Sequence, residues 1–255
     1  MKSPVVVIGI GEMGSVFTRA FLKLGHPVYP VTRNTDINEM SNAITEPELV
    51  LVAVGEGELQ ATLKNIPDTW HDRIGLLQNE LLPKDWLPHN FDKPTVISVW
   101  FEKKKGQDSK VLIPSPCFGP KASLLVDALA TLDIPARDVG TLENMEEELL
   151  IKNVYILTTN ISGLITKGNV EDLWNNHNEL AREVSDEVMD IQATLVGHDL
   201  DREKLIAGFK EGIDGDLEHM CMGRSAPARL QRALEIADKE GLAAVKLREI
   251  QKSAI

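Results

Sequence analysis

The stretch PVVVIGIGEMGSVFTRAFLKLG, residues 4–25, carries the strongest fold signal in the sequence. A run of β-branched residues predicts a buried strand, and the glycine turn after it leads directly into a helical segment. Gly9, Gly11 and Gly14 have the G-x-G-x-x-G spacing of a dinucleotide-binding strand–turn–helix unit. The first glycine permits the tight turn, the second lets the backbone approach a pyrophosphate, and the third allows the helix to pack closely on the strand. The stretch therefore predicts a phosphate site at the positive end of the helix. The alternative is a glycine turn with no ligand.

Short apolar runs alternate with helical segments over the first half of the chain. They predict strands at residues 4–10, 27–33, 49–55, 74–79, 94–101 and 110–116. Near-continuous apolar strands separated by helices are typical of a parallel sheet covered on both faces. The last of these strands follows a basic turn, and we expect it to be antiparallel or to lie at an edge. We predict an α/β fold with an N-terminal Rossmann domain and a mainly parallel sheet over residues 1–141.

The second half, residues 142–255, has helical periodicity throughout and predicts a C-terminal all-α domain. Predicted helices cover residues 143–166, 171–196, 199–210 and 227–241, with a further helix in the tail. Gly197 is expected to end the second of these helices, and Asp199 to cap the third. Ser225 can cap the fourth, where Pro227 suits the first helical turn.

The composition narrows the classes of partner and compartment. The formal net charge of −12 and the isoelectric point near 5.0 argue against nucleic acid or an anionic membrane as the main partner. Two cysteines, Cys117 and Cys221, are too few for a disulfide scaffold, so we expect packing thiols in a cytoplasmic protein. No apolar run approaches the roughly 20 residues of a membrane span. The six histidines show no metal-ligand spacing, so no metal site is predicted.

The end of the second predicted strand indicates which cofactor the glycine turn would bind. NAD-binding domains usually carry an acidic residue there for the ribose hydroxyls. This chain instead has Thr32, Arg33 and Asn34, with no carboxylate before Asp36. An arginine at this point can pair with a 2′-phosphate, so NADP(H) is favoured over NAD(H). The alternative is that Arg33 is a solvated charge at the end of the strand.

Two stretches of the first domain carry features of a known family. LVLVAVGEGELQATL places Gly55 and Glu56 directly after the third predicted strand. LLQNEL places Gln78 and Asn79 after the fourth.

A third stretch, EELLIKNVYILTTN, places Lys152 in an apolar helix two turns before Asn160. With the glycine turn, these stretches resemble the ketopantoate reductase family, within the wider group of NADP-dependent dehydrogenases that join a Rossmann domain to a helical domain. The resemblance extends over most of the chain. It also has departures, because the family places a cofactor-contacting lysine near Gly55, a glycine at the position of Glu80 and an asparagine at the position of Ile156.

The resemblance implies that Lys152 is the catalytic acid of a reductase, in a cleft between the two domains. In the family, the lysine donates to the ketone oxygen as hydride arrives from the nicotinamide. Asn79 would then position the nicotinamide ribose and the substrate, while Thr159 and Asn160 would hydrogen-bond the substrate. Independently of the family, an apolar site strengthens the attraction between a cation and developing negative charge and lowers the pKa of the ammonium. The alternatives are that Lys152 extends to solvent along its stem or pairs with a glutamate.

The residues predicted to hold the cofactor lie on the glycine turn and at the ends of the second, third and fourth strands. They are Gly9, Gly11, Glu12, Met13, Gly14, Thr32, Arg33, Asn34, Val54, Gly55 and Asn79.

The serine and the glutamate with which the family binds substrate are missing from the second half. Gly215 and Pro227 stand where the resemblance would place them, so the substrate need not be ketopantoate. Basic residues lie in the same region and can receive a substrate carboxylate or phosphate: His219, Arg224, Arg229 and Arg232. The alternative is a surface helix with ordinary exposed arginines.

The sequence thus predicts an NADPH-dependent oxidoreductase that reduces a small, anionic keto acid or related carbonyl compound, with a homodimer as the expected assembly. One alternative is a non-catalytic NADP-binding sensor or regulatory protein. Another is an imine reductase of the pyrroline-carboxylate reductase type. The β-hydroxyacid dehydrogenases fit less well, because they carry a glycine-rich segment before their lysine and the residues before Lys152 contain none.

Overall fold

The computed structural model describes residues 2–91 and 93–254. The chain divides into two compact units, residues 1–149 and 150–255. The first unit contains a mostly parallel sheet with helices, and the second is helical. The predicted fold class is therefore confirmed.

The first unit is built on a seven-stranded sheet with a separate two-stranded hairpin. Its strands are β1 Val5–Ile8, β2 Val28–Val31, β3 Leu49–Val52, β4 Ile74–Leu76, β5 Thr95–Ile97, β6 Phe101–Glu102, β7 Lys110–Val111, β8 Ser115–Phe118 and β9 Ala136–Asp138. The order in the sheet is β2-β1-β3-β4-β5-β8-β9, and β6 pairs with β7 in the hairpin. Strands β1 to β5 are parallel, β8 is antiparallel to β5, and β9 is parallel to β8.

The helices of this unit cover the sheet and complete its core. They are α1 Glu12–Lys23, α2 Ile37–Ala43, α3 Leu59–Leu63 and α4 Ala122–Ala130, with single 3₁₀ turns at Glu56–Glu58, Asp68–Arg73, Pro83–Asp85 and Leu87–His89. Phe17 and Phe21 of α1 pack with Leu125 and Leu129 of α4 over one face of β1 and β3. Both strands are buried along their whole length, as strands of a doubly covered parallel sheet must be.

The first four predicted strands are confirmed, and the last two are wrong in detail. The strand predicted at 94–101 divides into β5 and β6, and between them the Trp100 N–H donates to the side-chain hydroxyl of Ser115 in β8, at 2.9 Å, instead of to a backbone carbonyl. The strand predicted at 110–116 divides between β7 and β8, and β8 is antiparallel as expected. The edge strand beside β8 is β9, which has the polar sequence Ala-Arg-Asp and therefore carries no apolar signal.

The second unit is formed by the greater part of α5 Leu142–Thr166 and by the helices that follow it. These are α6 Val170–Asn176, α7 Asn178–Val196, α8 Arg202–Gly215, α9 Ala226–Glu240 and α10 Val245–Ala254. The predicted α5, the ends of α7 and α9 at Gly197 and Gly241, and Pro227 in the first turn of α9 are confirmed.

Two predictions about helix ends are wrong, and a third is confirmed in position only. The helix predicted at 171–196 breaks at His177, whose backbone lies outside the helical region. The cap of α8 is Asp201, because its carboxylate accepts from the Lys204 N–H, and the helix then continues past residue 210 to Gly215. Ser225 stands at the N-cap position of α9, but its side chain accepts no capping hydrogen bond.

Among the described residues, α5 is long and apolar enough to span a membrane by length and composition. No apolar run of that length was predicted from the sequence, and Lys152 and Asn153 interrupt the apolar residues of α5. In the structure 72% of its most apolar window is buried, as in the core helix of a soluble domain. Asn153 is buried with Gln192 of α7, to which it donates at 3.0 Å.

Candidate functional site

The glycine turn has the backbone that a phosphate site needs. Gly9 has φ +93°, and a Cβ there would lie 2.8 Å from the Ala53 carbonyl oxygen. A Cβ on Gly14 would overlap the carbonyl oxygen of Gly9, so this glycine allows α1 to approach the strand. A Cβ on Gly11, by contrast, would meet no atom within 4 Å, and no side chain caps the N-terminus of α1. The first N–H groups of the helix therefore face open space, which fits the phosphates of a dinucleotide.

A cleft of about 850 Å³ lies at the carboxyl ends of β1, β2 and β3, within the first unit. Seven of the residues predicted to bind cofactor line it: Gly9, Gly11, Thr32, Arg33, Asn34, Val54 and Gly55. Because β1 lies between β2 and β3, the cleft is at a topological switch point, where open α/β sheets bind their ligands.

The other predicted cofactor residues lie beside the cleft and not in its lining. Gly14 is buried under the turn, and Glu12 and Met13 form the first turn of α1. The Glu12 carboxylate lies 3.7 Å from the Lys103 ammonium, which offsets its negative charge at the N-terminus of α1. Lys103 was not predicted to be near this turn.

Arg33 stands at the corner of the cleft where the adenosine ribose would lie. Its side chain is 88% exposed, and its Nη2 lies 2.7 Å from the Oε1 of Glu58, which also lines the cleft. Asp36 is used elsewhere, because its carboxylate caps α2 by accepting from the N–H groups of Asn38 and Glu39. Glu58 was not predicted to lie here, because it is far from Arg33 in sequence; the only signal was its place in the 3₁₀ turn that follows β3.

The Gln-Asn pair after β4 has two separate roles. Gln78 is buried and donates to the carbonyl oxygens of Val52, at 2.7 Å, and Val54, at 3.2 Å, so it ties the end of β3 to the end of β4. Asn79 donates to the Glu56 carboxylate at 3.1 Å. Glu80 has φ +60°, a left-handed conformation that costs a non-glycine residue about 1–2 kcal/mol. A glycine would adopt this conformation without that cost.

Lys152 lies on α5 in the second unit and is only 8% exposed, so it does not extend to solvent along its stem. Its ammonium lies 5.7 Å from the centre of the Tyr155 ring. Burial, and secondarily the charge of Arg229, lower the pKa of Lys152 to about 7. A lysine with such a pKa can both hold and release a proton near neutral pH.

Arg229 reaches α5 from α9 and is buried. It donates from Nη1 to the Oδ1 of Asn160 at 2.8 Å, and Asn160 in turn donates to the Cys221 carbonyl oxygen at 3.0 Å. This contact holds the guanidinium and the amide in one arrangement. Arg229 is therefore not an ordinary exposed arginine, whereas Arg224, also predicted to bind substrate, is exposed.

The remaining predicted substrate residues take local roles. Thr159 is buried and donates to the Tyr155 carbonyl oxygen at 2.8 Å, one helical turn back. The ring centre of His219 lies 6.3 Å from that of Tyr155, and its Nδ1 is 3.9 Å from a carboxylate oxygen of Asp216. Position 163 favours glycine, because a Cβ there would lie 2.8 Å from the Cβ of Cys221.

The two cysteines are poor nucleophiles. Burial raises the pKa of the Cys117 thiol and that of the Cys221 thiol to about 12. Within residues 2–91 and 93–254, no group of His, Cys, Asp and Glu side chains could hold a metal ion.

The pKa of Lys152 predicts a pH dependence for any reaction in which its ammonium is the acid. Since the protonated form is the active one, kcat/KM for reduction should be level below pH 7 and fall about tenfold per pH unit above it. Steady-state kinetics across this range measures the effect. Activity that stays level well above pH 7 would exclude Lys152 as the acid.

Comparison with known proteins identifies the fold. No protein-family model and no curated protein sequence matches the chain. Among solved structures, a ketopantoate reductase from Ralstonia eutropha JMP134 is 14% identical, with a TM-score of 0.68, over 98% of this chain and 97% of the other. D-mandelate dehydrogenase, solved with NADH and anilino(oxo)acetate, is 14% identical, with a TM-score of 0.69, over 98% and 96%. A dimeric ketopantoate reductase from Staphylococcus aureus is 16% identical, with a TM-score of 0.63, over 98% and 97%.

These neighbours are reductases and dehydrogenases that share one fold. The chain therefore has a ketopantoate-reductase-like fold, as the resemblance of its motifs implied.

Proposed function

We propose that this protein is an NADPH-dependent oxidoreductase that reduces the ketone of a small, anionic keto acid. The observation that carries the proposal is the buried Lys152, with its lowered pKa, beside an arginine that Asn160 holds in place. A structural lysine in an apolar helix would gain nothing from a second buried cation. An anionic substrate would be attracted by both cations, Lys152 and Arg229.

The first unit supplies the features of a cofactor site. The open backbone at Gly11 and the uncapped N-terminus of α1 would hold the pyrophosphate, and Arg33 would pair with a 2′-phosphate. A nicotinamide cofactor bound there would supply hydride. D-mandelate dehydrogenase, which has this fold, is described with NADH, and this supports a nicotinamide cofactor for the chain.

In the proposed reaction, Lys152 donates a hydrogen bond to the carbonyl oxygen and a proton to the alkoxide that forms. Arg229 binds the carboxylate, and Asn160 positions Arg229 by accepting from its Nη1. Ketopantoate itself is not favoured. Gly215 and Pro227, which replace the serine and the glutamate of the related family, cannot bind its hydroxyl.

The proposal is tested by following NADPH oxidation with a panel of 2-oxo acids and cyclic imino acids. Ligands that bind the folded protein are first selected by the rise they cause in its melting temperature. Turnover of a 2-oxo acid is the expected result. Turnover of imines only would indicate an imine reductase. Tight NADPH binding without turnover of any compound would indicate the sensor, an alternative favoured by the departures at Gly55, Ile156 and Pro227.

We also propose that the chain acts as a cytoplasmic homodimer. The dimeric Staphylococcus aureus ketopantoate reductase, of the same fold, supports the dimer. The scarcity of cysteine is consistent with a reducing compartment.

The cofactor proposal predicts that NADPH binds at least about tenfold more tightly than NADH, a difference of about 1.4 kcal/mol. One phosphate–arginine contact suffices for this ratio. Arg33→Asp should erase or reverse the preference, because it replaces the cation with a carboxylate beside the ribose. Titration calorimetry with both cofactors measures the ratio, and equal affinities in the unmutated protein would contradict the assignment.

A further inference from the structure

The ion pair between Arg33 and Glu58 lies at the ribose corner of the cleft. Both side chains line the cleft, and the Nη2 to Oε1 distance is 2.7 Å. The pair is solvent-exposed, with side-chain exposures of 88% and 54%, so it is easily broken by a competing anion. The Arg33 guanidinium is thus already paired with a carboxylate.

The backbone of Glu58 is held from both sides. Its N–H donates to the Gly55 carbonyl oxygen at 3.0 Å, and its own carbonyl oxygen accepts from the Thr62 hydroxyl at 2.8 Å. Gly55 and Gly57, which precede it, leave open space where their Cβ atoms would be. A ligand can therefore lie over this segment while the carboxylate of Glu58 stays near Arg33.

The two cofactors would meet this pair differently. A 2′-phosphate carries up to two negative charges, so it must displace the carboxylate from Arg33 and is repelled by it. A ribose with a free 2′-hydroxyl is a donor, and a carboxylate is the acceptor that NAD-binding domains use for it.

From this geometry we propose that Glu58 sets the cofactor ratio of the site. It competes with the 2′-phosphate of NADP(H) for Arg33 and accepts a hydrogen bond from the ribose of NAD(H). The protein therefore uses both cofactors. It prefers NADPH, and Glu58 reduces the ratio of the NADPH affinity to the NADH affinity. This inference rests on the proposed function, because it assumes a nicotinamide dinucleotide in the cleft.

The test compares Glu58→Gln with the unmutated protein by titration calorimetry. The fragments 2′,5′-ADP and ADP isolate the ribose corner, and NADPH and NADH then test the whole cofactor. Glu58→Gln should bind 2′,5′-ADP and NADPH about three- to tenfold more tightly, since a charge that repels the phosphate is removed. It should bind ADP and NADH at least about twofold more weakly, because a neutral amide is a poorer hydrogen-bond acceptor than a carboxylate.

Glu46→Gln is the matched control. It makes the same change in charge at an exposed position before β3, at the end of the strand away from the cleft. Its affinities should equal those of the unmutated protein. Unchanged affinities in Glu58→Gln, or equal shifts for both cofactors, would overturn the inference and leave the proposed function standing. A folded, unmutated protein that binds neither cofactor would overturn both.

Discussion

Lys152→Ala should lower kcat/KM for the reduction by roughly 100-fold or more, a loss of about 3 kcal/mol of transition-state stabilisation. The ammonium is buried on α5 and has a pKa of about 7, so it can stabilise a developing alkoxide and then protonate it. NADPH affinity should barely change, because the residues that line the nucleotide cleft all belong to the first unit. Steady-state kinetics with the substrate found by screening, together with NADPH titration, measures both quantities.

Two further variants separate catalysis from folding. Lys152→Met keeps the aliphatic stem in its apolar surroundings and should be as inactive as the alanine variant while remaining folded. Lys152→Arg should also fail, because the broad, planar guanidinium cannot place one proton where the compact ammonium does. Near-normal turnover by a folded Lys152→Ala protein would remove Lys152 from the mechanism and, with it, most of the case for ketopantoate-reductase-like chemistry.

Gly11→Val should abolish binding of NADPH and NADH while the protein stays folded. The backbone of Gly11 has φ −79° and ψ −165°, which a valine tolerates, and its Cβ would meet no protein atom within 4 Å. The branched side chain would instead occupy the space through which a pyrophosphate approaches the backbone. The stability cost should stay near 1 kcal/mol, the usual loss when a poor N-cap residue replaces a good one.

Gly14→Ala provides the contrast. Its added methyl group would overlap the Gly9 carbonyl oxygen, so the expected result is a large fall in melting temperature. Thermal melts and calorimetry on both variants distinguish a blocked ligand site from a damaged fold. A folded Gly11→Val protein that binds NADPH with unchanged affinity would show that the phosphates lie elsewhere.

Local signals determined much of the first unit. The apolar runs at β1 and β3 are continuous and rich in valine, and the glycine spacing is set by steric needs within one strand–turn–helix unit. Such features are readable because the residues that interact are neighbours in sequence. The edge strand β9 was missed because it is short and polar, and the sheet, not its own sequence, gives it partners.

Helix ends also differ in whether the local sequence or the folded structure decides them. Gly197 has φ +78° after α7, and a glycine at a helix end is a strong local signal. Asp199 and Asp201 are both plausible caps by residue type. Only the folded backbone decides that the Asp201 carboxylate meets the N–H of Lys204.

The sequence by itself determined the fold class, the glycine turn and a lysine inside an apolar helix, because each depends on residue type and short spacing. Only the tertiary structure decided which charged and polar side chains come into contact. Arg33 and Glu58 are joined across the ends of two parallel strands, and Arg229 and Asn160 across two packed helices. Their sequence separations carry no pattern. Burial, which lowers the pKa of Lys152, is likewise a property of everything packed around it and not of the helix that carries it.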